Sequence, residues 1–285
     1  MAEEKRICPV CPHHCALEEG RTGLCRARGM RRGEIVPLNY GIVSSLALDP
    51  IEKKPLARYY PGSSILSVGS FGCNLRCPFC QNWEISMSDG REFLRDRERR
   101  YLTPEGLAAL AEELRPRGNI GVAFTYNEPL IGWEYVRDTA VLLREKGLKT
   151  VLVTNGCASE EVARTLLPLT DALNIDLKCF RADTYSRRLG GDLETVKRFI
   201  AMAAERCHVE LTTLVVPGMN DGEEEIRSLA EWIASLPNGE DIPLHLTRFF
   251  PRWKMPDTPA TERQCILRLT DLARKRLRFV YPGNI

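Results

Sequence analysis

The chain has 285 residues, a formal net charge of +2, and is 44% hydrophobic and 27% charged. That is room for one large α/β domain, or a domain with a small appendage, and for a core that needs no disulfide staples. The near-balanced charge gives no reason to expect nucleic acid or an anionic membrane as partner. No apolar run reaches the ~18 residues of a membrane span, and the polar, cysteine-bearing start MAEEKRICPV is not a secretory signal. A cytoplasmic setting is expected, where thiols stay reduced.

In chain order, residues 1–40 stand apart: Cys8, Cys11, Cys15 and Cys25 lie in a stretch with little hydrophobic periodicity. Such a segment folds around a metal or not at all. Residues 41–63 hold the turn signals Asp49-Pro50 and Tyr60-Pro61-Gly62 and read as a connecting arm. Residues 64–285 form the regular part. Apolar, β-branched runs predict strands at 65–69, 120–125, 149–154, 172–177, 208–216 and 243–248, with a short last one at 278–281. Helical spacing fills the intervals: 104–115 behind the cap Thr103-Pro104, 132–146 before Gly147, then 159–168, 192–205, 223–235 and 260–276. The highly charged 91–100 reads as a solvated face or loop. Alternation of strand and helix implies right-handed βαβ units on a parallel sheet. The expectation is a partial (β/α)6 barrel of the TIM type, with a doubly wound open sheet as the alternative.

Seven of the eleven cysteines fall in two tight groups, and close spacing in a reduced compartment favours metal over disulfide. The scattered Cys157, Cys179, Cys207 and Cys265 are expected as small buried hydrophobes. The second group, Cys73, Cys77 and Cys80, runs directly out of the first regular strand in SVGSFGCNLRCPFCQNW. Three thiolates on one loop can hold three irons of a cubane and leave the fourth without a protein ligand, whereas protein clusters are otherwise fully ligated. An open metal corner is what a catalytic site needs. The alternative is a zinc site borrowing a fourth ligand. Chemistry at the carboxyl ends of strands suits a parallel α/β fold.

Other candidates sit at the following strand ends. Asn127-Glu128-Pro129, as a bare tripeptide, is a helix-opening turn. Asp176 and Lys178 alternate with Ile175 and Leu177, so both can face a barrel interior, where they form a ligand contact or a structural ion pair. Pro217-Gly218 and Asn220-Asp221 are turn chemistry, or a lip over a site. His245 within a strand is a satisfied core residue or a ligand contact. The four N-terminal thiols suit zinc or a second cluster, and spacing leaves the two open.

The loop Cys-x3-Cys-x-aromatic-Cys resembles the signature of the radical S-adenosylmethionine (SAM) superfamily. The resemblance implies a [4Fe–4S] cluster on Cys73, Cys77 and Cys80 whose open iron binds SAM, reductive cleavage to a 5′-deoxyadenosyl radical, and hydrogen abstraction from a substrate. It places Phe79 near the adenine. It makes Asn127-Glu128-Pro129 a variant of a Gly-Gly-Glu-Pro element that pairs with the methionine end of SAM, with Tyr126 and Asn127 in place of the glycines. Thr154-Asn155-Gly156 and Asp176-Leu177-Lys178 resemble elements of glycyl-radical activating enzymes; Val153 stands where those enzymes carry an acid, which leaves Asn155 as the named substitute. His245 is near a SAM-contacting histidine of the same enzymes. End to end, the chain resembles the radical SAM member of the AmmeMemoRadiSam system, close to pyruvate formate-lyase activating enzymes, on YGIVSSLALDPIEKKPL, TYNEP, NIDLK, LVVPGMND and HLTRFFP. That branch often continues into a further cysteine pair, which this sequence does not show: either the tail is lost or the sequence is truncated, and no terminal metal site is expected from these residues. The implied partners are SAM, an electron donor such as flavodoxin or ferredoxin, and a substrate that the motifs do not encode: a glycyl-radical protein, or a small molecule, another protein or an RNA. An iron–sulfur electron carrier is the non-enzyme alternative, and it leaves the barrel pattern unexplained.

Overall fold

A computed structural model describes residues 5–96 and 100–285. Two short antiparallel hairpins open the chain: β1 (Arg6–Ile7) with β2 (Ala16–Leu17), and β3 (Arg28–Arg31) with β4 (Glu34–Pro37). The main sheet has eight strands that lie side by side in chain order: β5 (Ser45–Pro50), β6 (Ser64–Gly69), β7 (Asn119–Phe124), β8 (Lys149–Thr154), β9 (Ala172–Asp176), β10 (His208–Val215), β11 (Leu244–Arg248) and β12 (Val280–Gly283). From β6 to β12 every neighbour is parallel; β5 alone is antiparallel. Six strand–helix repeats and a closing strand therefore build the expected partial barrel. β5 and β12 form the two edges and do not pair with each other.

The sequence signals act where they stand. Thr103 accepts the Gly106 N–H at 3.1 Å, and Pro104 occupies the first position of the helix Pro104–Glu113. Gly147 takes φ +64° after the helix Trp133–Glu145, a left-handed turn that favours glycine. Gly121 is demanded by packing: a Cβ there would stand 1.9 Å from the Lys149 carbonyl oxygen across β7 and β8. Helices and sheet share one apolar core.

Two expectations change. The connecting arm at 41–63 includes a sheet strand, β5. Its side chains are mostly half-buried, so the alternation that marks a strand is weak there. The last strand lies at Val280–Gly283, two residues beyond the expected run. Of the charged stretch 91–100, residues Arg91–Arg95 form a short helix, and 97–99 lie outside the described residues.

Beyond β5, the arm passes beneath the barrel. The Pro55 carbonyl accepts from Asn174 Nδ2 at 2.8 Å, and the backbone N–H groups of Ala57 and Arg58 donate to Glu210 at 2.9 and 2.7 Å. Arg58 also lies 3.7 Å over the Phe279 ring at the start of β12.

Candidate functional site

Side chains two residues apart on a strand share a face, about 6.6 Å along it. This places the barrel interior in layers. Asp176, Thr212 and Thr247 form one layer and line a cavity of about 590 Å³ at the carboxyl ends of the strands. Asn174 and Glu210 form the layer beneath, closer to the arm; His245 stands opposite Thr212 in the strand register and turns its ring down to Glu210. Thr212 Oγ1 donates to Asn174 Oδ1 at 2.9 Å, which ties the two layers together.

The loop after β6 supplies Cys73, Cys77, Phe79 and Cys80 to the same cavity. Gly72, at φ +87°, turns the chain into this loop; a Cβ there would lie 2.5 Å from the Cys25 carbonyl oxygen. The Leu75 N–H points at Cys73 Sγ, 3.4 Å away. Burial pushes the Cys77 thiol up to about 12 against the opposing charge of Lys178, and burial with the nearby Glu128 raises Cys73 well above the ordinary range. Thiols so placed stay protonated until a metal takes the proton's place. Among the described residues, no three Cys, His, Asp or Glu side chains are gathered as ligands of one metal ion. A cubane differs from a single ion in giving each thiolate its own iron, so its ligands stand further apart. Three neighbouring thiols around a roomy polar cavity fit that group.

Glu128 reaches the cavity wall from the loop after β7 and is 2% exposed. It accepts from Thr154 Oγ1 at 2.6 Å, the Asn155 N–H at 2.8 Å and the Leu130 N–H at 2.9 Å. It thereby fastens the loops after β7 and β8 to each other, while burial raises its acid to about 7 despite those bonds. Asn155 turns its amide onto Asn74 Oδ1 at 3.0 Å and Cys73 Sγ at 3.6 Å. Lys178 Nζ pairs with Asp176 Oδ2 at 3.0 Å. Burial disfavours its charge, but Asp176 and Cys77 outweigh that and hold the ammonium protonated. Val153 lines the wall beside them.

Tyr126 and Asn127 show how the chain manages without two glycines. Tyr126 stands at φ +71°, the left-handed region that costs a side-chain-bearing residue energy. Its hydroxyl is anchored to Asp49 at 2.9 Å, and Lys54, itself paired with Asp49 at 2.9 Å, sits 4.9 Å over its ring. Asn127 Oδ1 accepts the Ser70 N–H at 2.9 Å, and its Nδ2 donates to the Phe71 and Gly72 carbonyls, each at 3.1 Å. Asn127 borders the cavity, but its side-chain bonds hold the approach to the cysteine loop in shape.

Six of the sequence candidates thus border one cavity with the three cysteines: Phe79, Asn127, Glu128, Asn155, Asp176 and Lys178. His245 does not. Its Nε2 lies 2.6 Å from Glu210 Oε2 in the lower layer, and its ring stacks on Tyr281 at 5.3 Å. Thr247, one strand repeat further on, takes the cavity position. The sequence reading also missed Asn74, whose Nδ2 donates to the Cys157 carbonyl at 2.6 Å, and the arm residues Glu52 and Lys53, which form part of the wall.

The family model of the radical SAM superfamily matches residues 67–233, more than half the chain, and takes in the carboxyl ends of β6 to β10. The chain belongs to the radical SAM superfamily. Members use a [4Fe–4S] cluster and SAM. This radical SAM chain is 37% identical to the uncharacterized protein MJ0808 of Methanocaldococcus jannaschii over its whole length and 83% of that protein's. It is 30% identical to the pyruvate formate-lyase-activating enzyme of Clostridium pasteurianum, over 64% of this chain and 75% of the relative. Streptococcus suis SuiB, solved with its precursor peptide, superposes with a TM-score of 0.56 at 12% identity, over 75% of this chain and 46% of that one; the likeness is one of fold. No helix among the described residues is long and apolar enough to cross a membrane.

Proposed function

We propose that this chain is a radical SAM enzyme acting in the manner of an activating enzyme, with a protein as its substrate. When bound on Cys73, Cys77 and Cys80, the cluster supplies the electron that cleaves SAM to methionine and the 5′-deoxyadenosyl radical, which removes a hydrogen atom from the substrate. The chain's residues bind and orient. Phe79 offers an apolar face and Glu128 with Asn155 a fixed polar wall; the Asp176–Lys178 pair presents both signs of charge to a zwitterionic ligand. The buried walls keep water from the reactive centre.

The observation that carries this reading is the convergence of the three-cysteine loop and the Glu128, Asn155, Asp176 and Lys178 side chains on one cavity. The activating-enzyme relatives support a protein substrate, and an electron donor of the flavodoxin or ferredoxin class goes with it. The test is anaerobic: reduced, cluster-loaded protein with SAM is assayed for 5′-deoxyadenosine, and then incubated with a glycyl-radical protein encoded nearby. SAM cleavage together with a radical signal on that partner supports the reading. SAM cleavage without it leaves the chemistry and sinks the activating role, in favour of a small molecule, a different protein or an RNA.

A further inference from the structure

The N-terminal segment packs against the loop that carries Cys73. Its four thiols are free of disulfides, and Cys8, Cys11 and Cys25 are buried. Two of them, Cys11 and Cys25, border the residues on either side of Cys73. Gly72, on one side of Cys73, packs against the Cys25 carbonyl so closely that no side chain fits. Asn74, on the other side, has its side chain near enough to the Cys11 thiol to favour its charged form, and its own carbonyl is 2.7 Å from His13 Nε2. The Asn74 amide meets Asn155, which in turn touches Cys73 Sγ. One side chain therefore links a thiol of the first group to the neighbourhood of a thiol of the second.

The backbone around the N-terminal thiols also repeats what it does at the catalytic loop. Cys73 accepts the N–H two residues on, and the backbone of His13 beside Cys11 and of Ala27 beside Cys25 likewise favours the thiolate. Cys15 receives the Leu24 N–H at 3.5 Å. Fixed N–H donors stabilise thiolate charge and tune cluster potentials. Arg28, held by a bidentate pair with Glu134 at 2.8 and 2.9 Å, lies within electrostatic reach of Cys8 and Cys25 and offers a positive neighbour. Four thiols can ligate every iron of a cubane, where the three of the catalytic loop leave one open.

We propose that Cys8, Cys11, Cys15 and Cys25 hold a second, fully ligated iron–sulfur cluster, placed against the catalytic cluster through Gly72 and Asn74. With four thiolates it has no open iron, so it does not bind SAM; it exchanges single electrons with the neighbouring cluster.

The test uses the full chain, reconstituted anaerobically with iron and sulfide. A variant carrying Cys73→Ala, Cys77→Ala and Cys80→Ala keeps about two to four iron and as many sulfides per chain, and after dithionite reduction shows a paramagnetic signal that ignores SAM. Cys8→Ser with Cys11→Ser loses that signal and keeps the SAM-responsive one. One zinc per chain and no iron in the triple variant overturns the proposal, as does loss of all metal with the fold intact by circular dichroism. Should the triple variant not fold, iron counts and spectra of the wild type decide: about four iron per chain, all of it SAM-responsive, refutes a second cluster. A wild type with iron but no SAM-responsive signal instead defeats the catalytic reading, so the two failures are distinguishable.

Discussion

Replacing Glu210 by Gln tests how the base of the barrel is held. The Glu210 side chain is fully buried, and burial alone would raise its acid. Hydrogen bonds from His208 at 2.9 Å, His245 at 2.6 Å and the backbone N–H groups of Arg58 and Ala57 outweigh that and hold it at about 2, against an ordinary 4.5. That difference is worth about 3 kcal/mol to the folded state. For a carboxylate held below its unfolded value, the contribution is complete above pH 4.5 and is lost as pH falls towards 2. Urea unfolding of the cluster-free chain is the assay. Wild type should lose about 3 kcal/mol across that acid window. Glu210→Gln should be less stable by about 2 to 4 kcal/mol at pH 7, because the amide cannot accept all four donors, and its stability should change less on acidification. Because the same arm brings Glu52 and Lys53 to the cavity wall, the loaded variant should also show a raised KM for SAM with kcat less affected. A variant as stable as wild type at pH 7, or one that follows the wild-type acid profile, refutes the clasp.

Cys73→Ala, Cys77→Ala and Cys80→Ala should each abolish 5′-deoxyadenosine formation under anaerobic, reducing conditions, as measured by chromatography; retained turnover in any of them contradicts the cluster assignment. Lys178→Met strands Asp176 without its partner and should weaken SAM binding at least about tenfold, read as the SAM concentration that half-saturates the spectral change. Gly72→Ala should lower the iron bound on reconstitution, since its methyl group collides with the Cys25 carbonyl; iron content equal to wild type argues that the loop can shift. Gly121→Ala should cost about 3 kcal/mol in urea unfolding, because the obstacle is the Lys149 backbone rather than a side chain that can turn aside.

Much of this was legible in the sequence because period and punctuation carry it. The strand runs and the caps at Thr103 and Gly147 act locally, and the spacing of Cys73, Cys77 and Cys80 marks out the loop that borders the cavity. Depth is what the sequence does not record. His245 and Thr247 point to the same side of β11, and only the height at which the arm closes the barrel decides which of them reaches the cavity. Asn127 bears the same difficulty: its place in strand order was readable, but its use on the Ser70, Phe71 and Gly72 backbone depends on a chain 56 residues away. β5 escaped notice because an edge strand with half-buried side chains has little alternation to show, and Asn74 because nothing in an asparagine between two cysteines tells which group it serves.

The two edges of the sheet are fastened unequally. Near the amino ends, Arg58 covers Phe279 and the arm grips Glu210, while β5 and β12 share no ladder bond. Glu52 and Lys53 beyond one edge, and Asn284 beyond the other, both reach the cavity rim. The molecule is therefore built like a fan pinned at its handle: with no ladder between β5 and β12, the distance between its outer margins is not set by any hydrogen bond between strands.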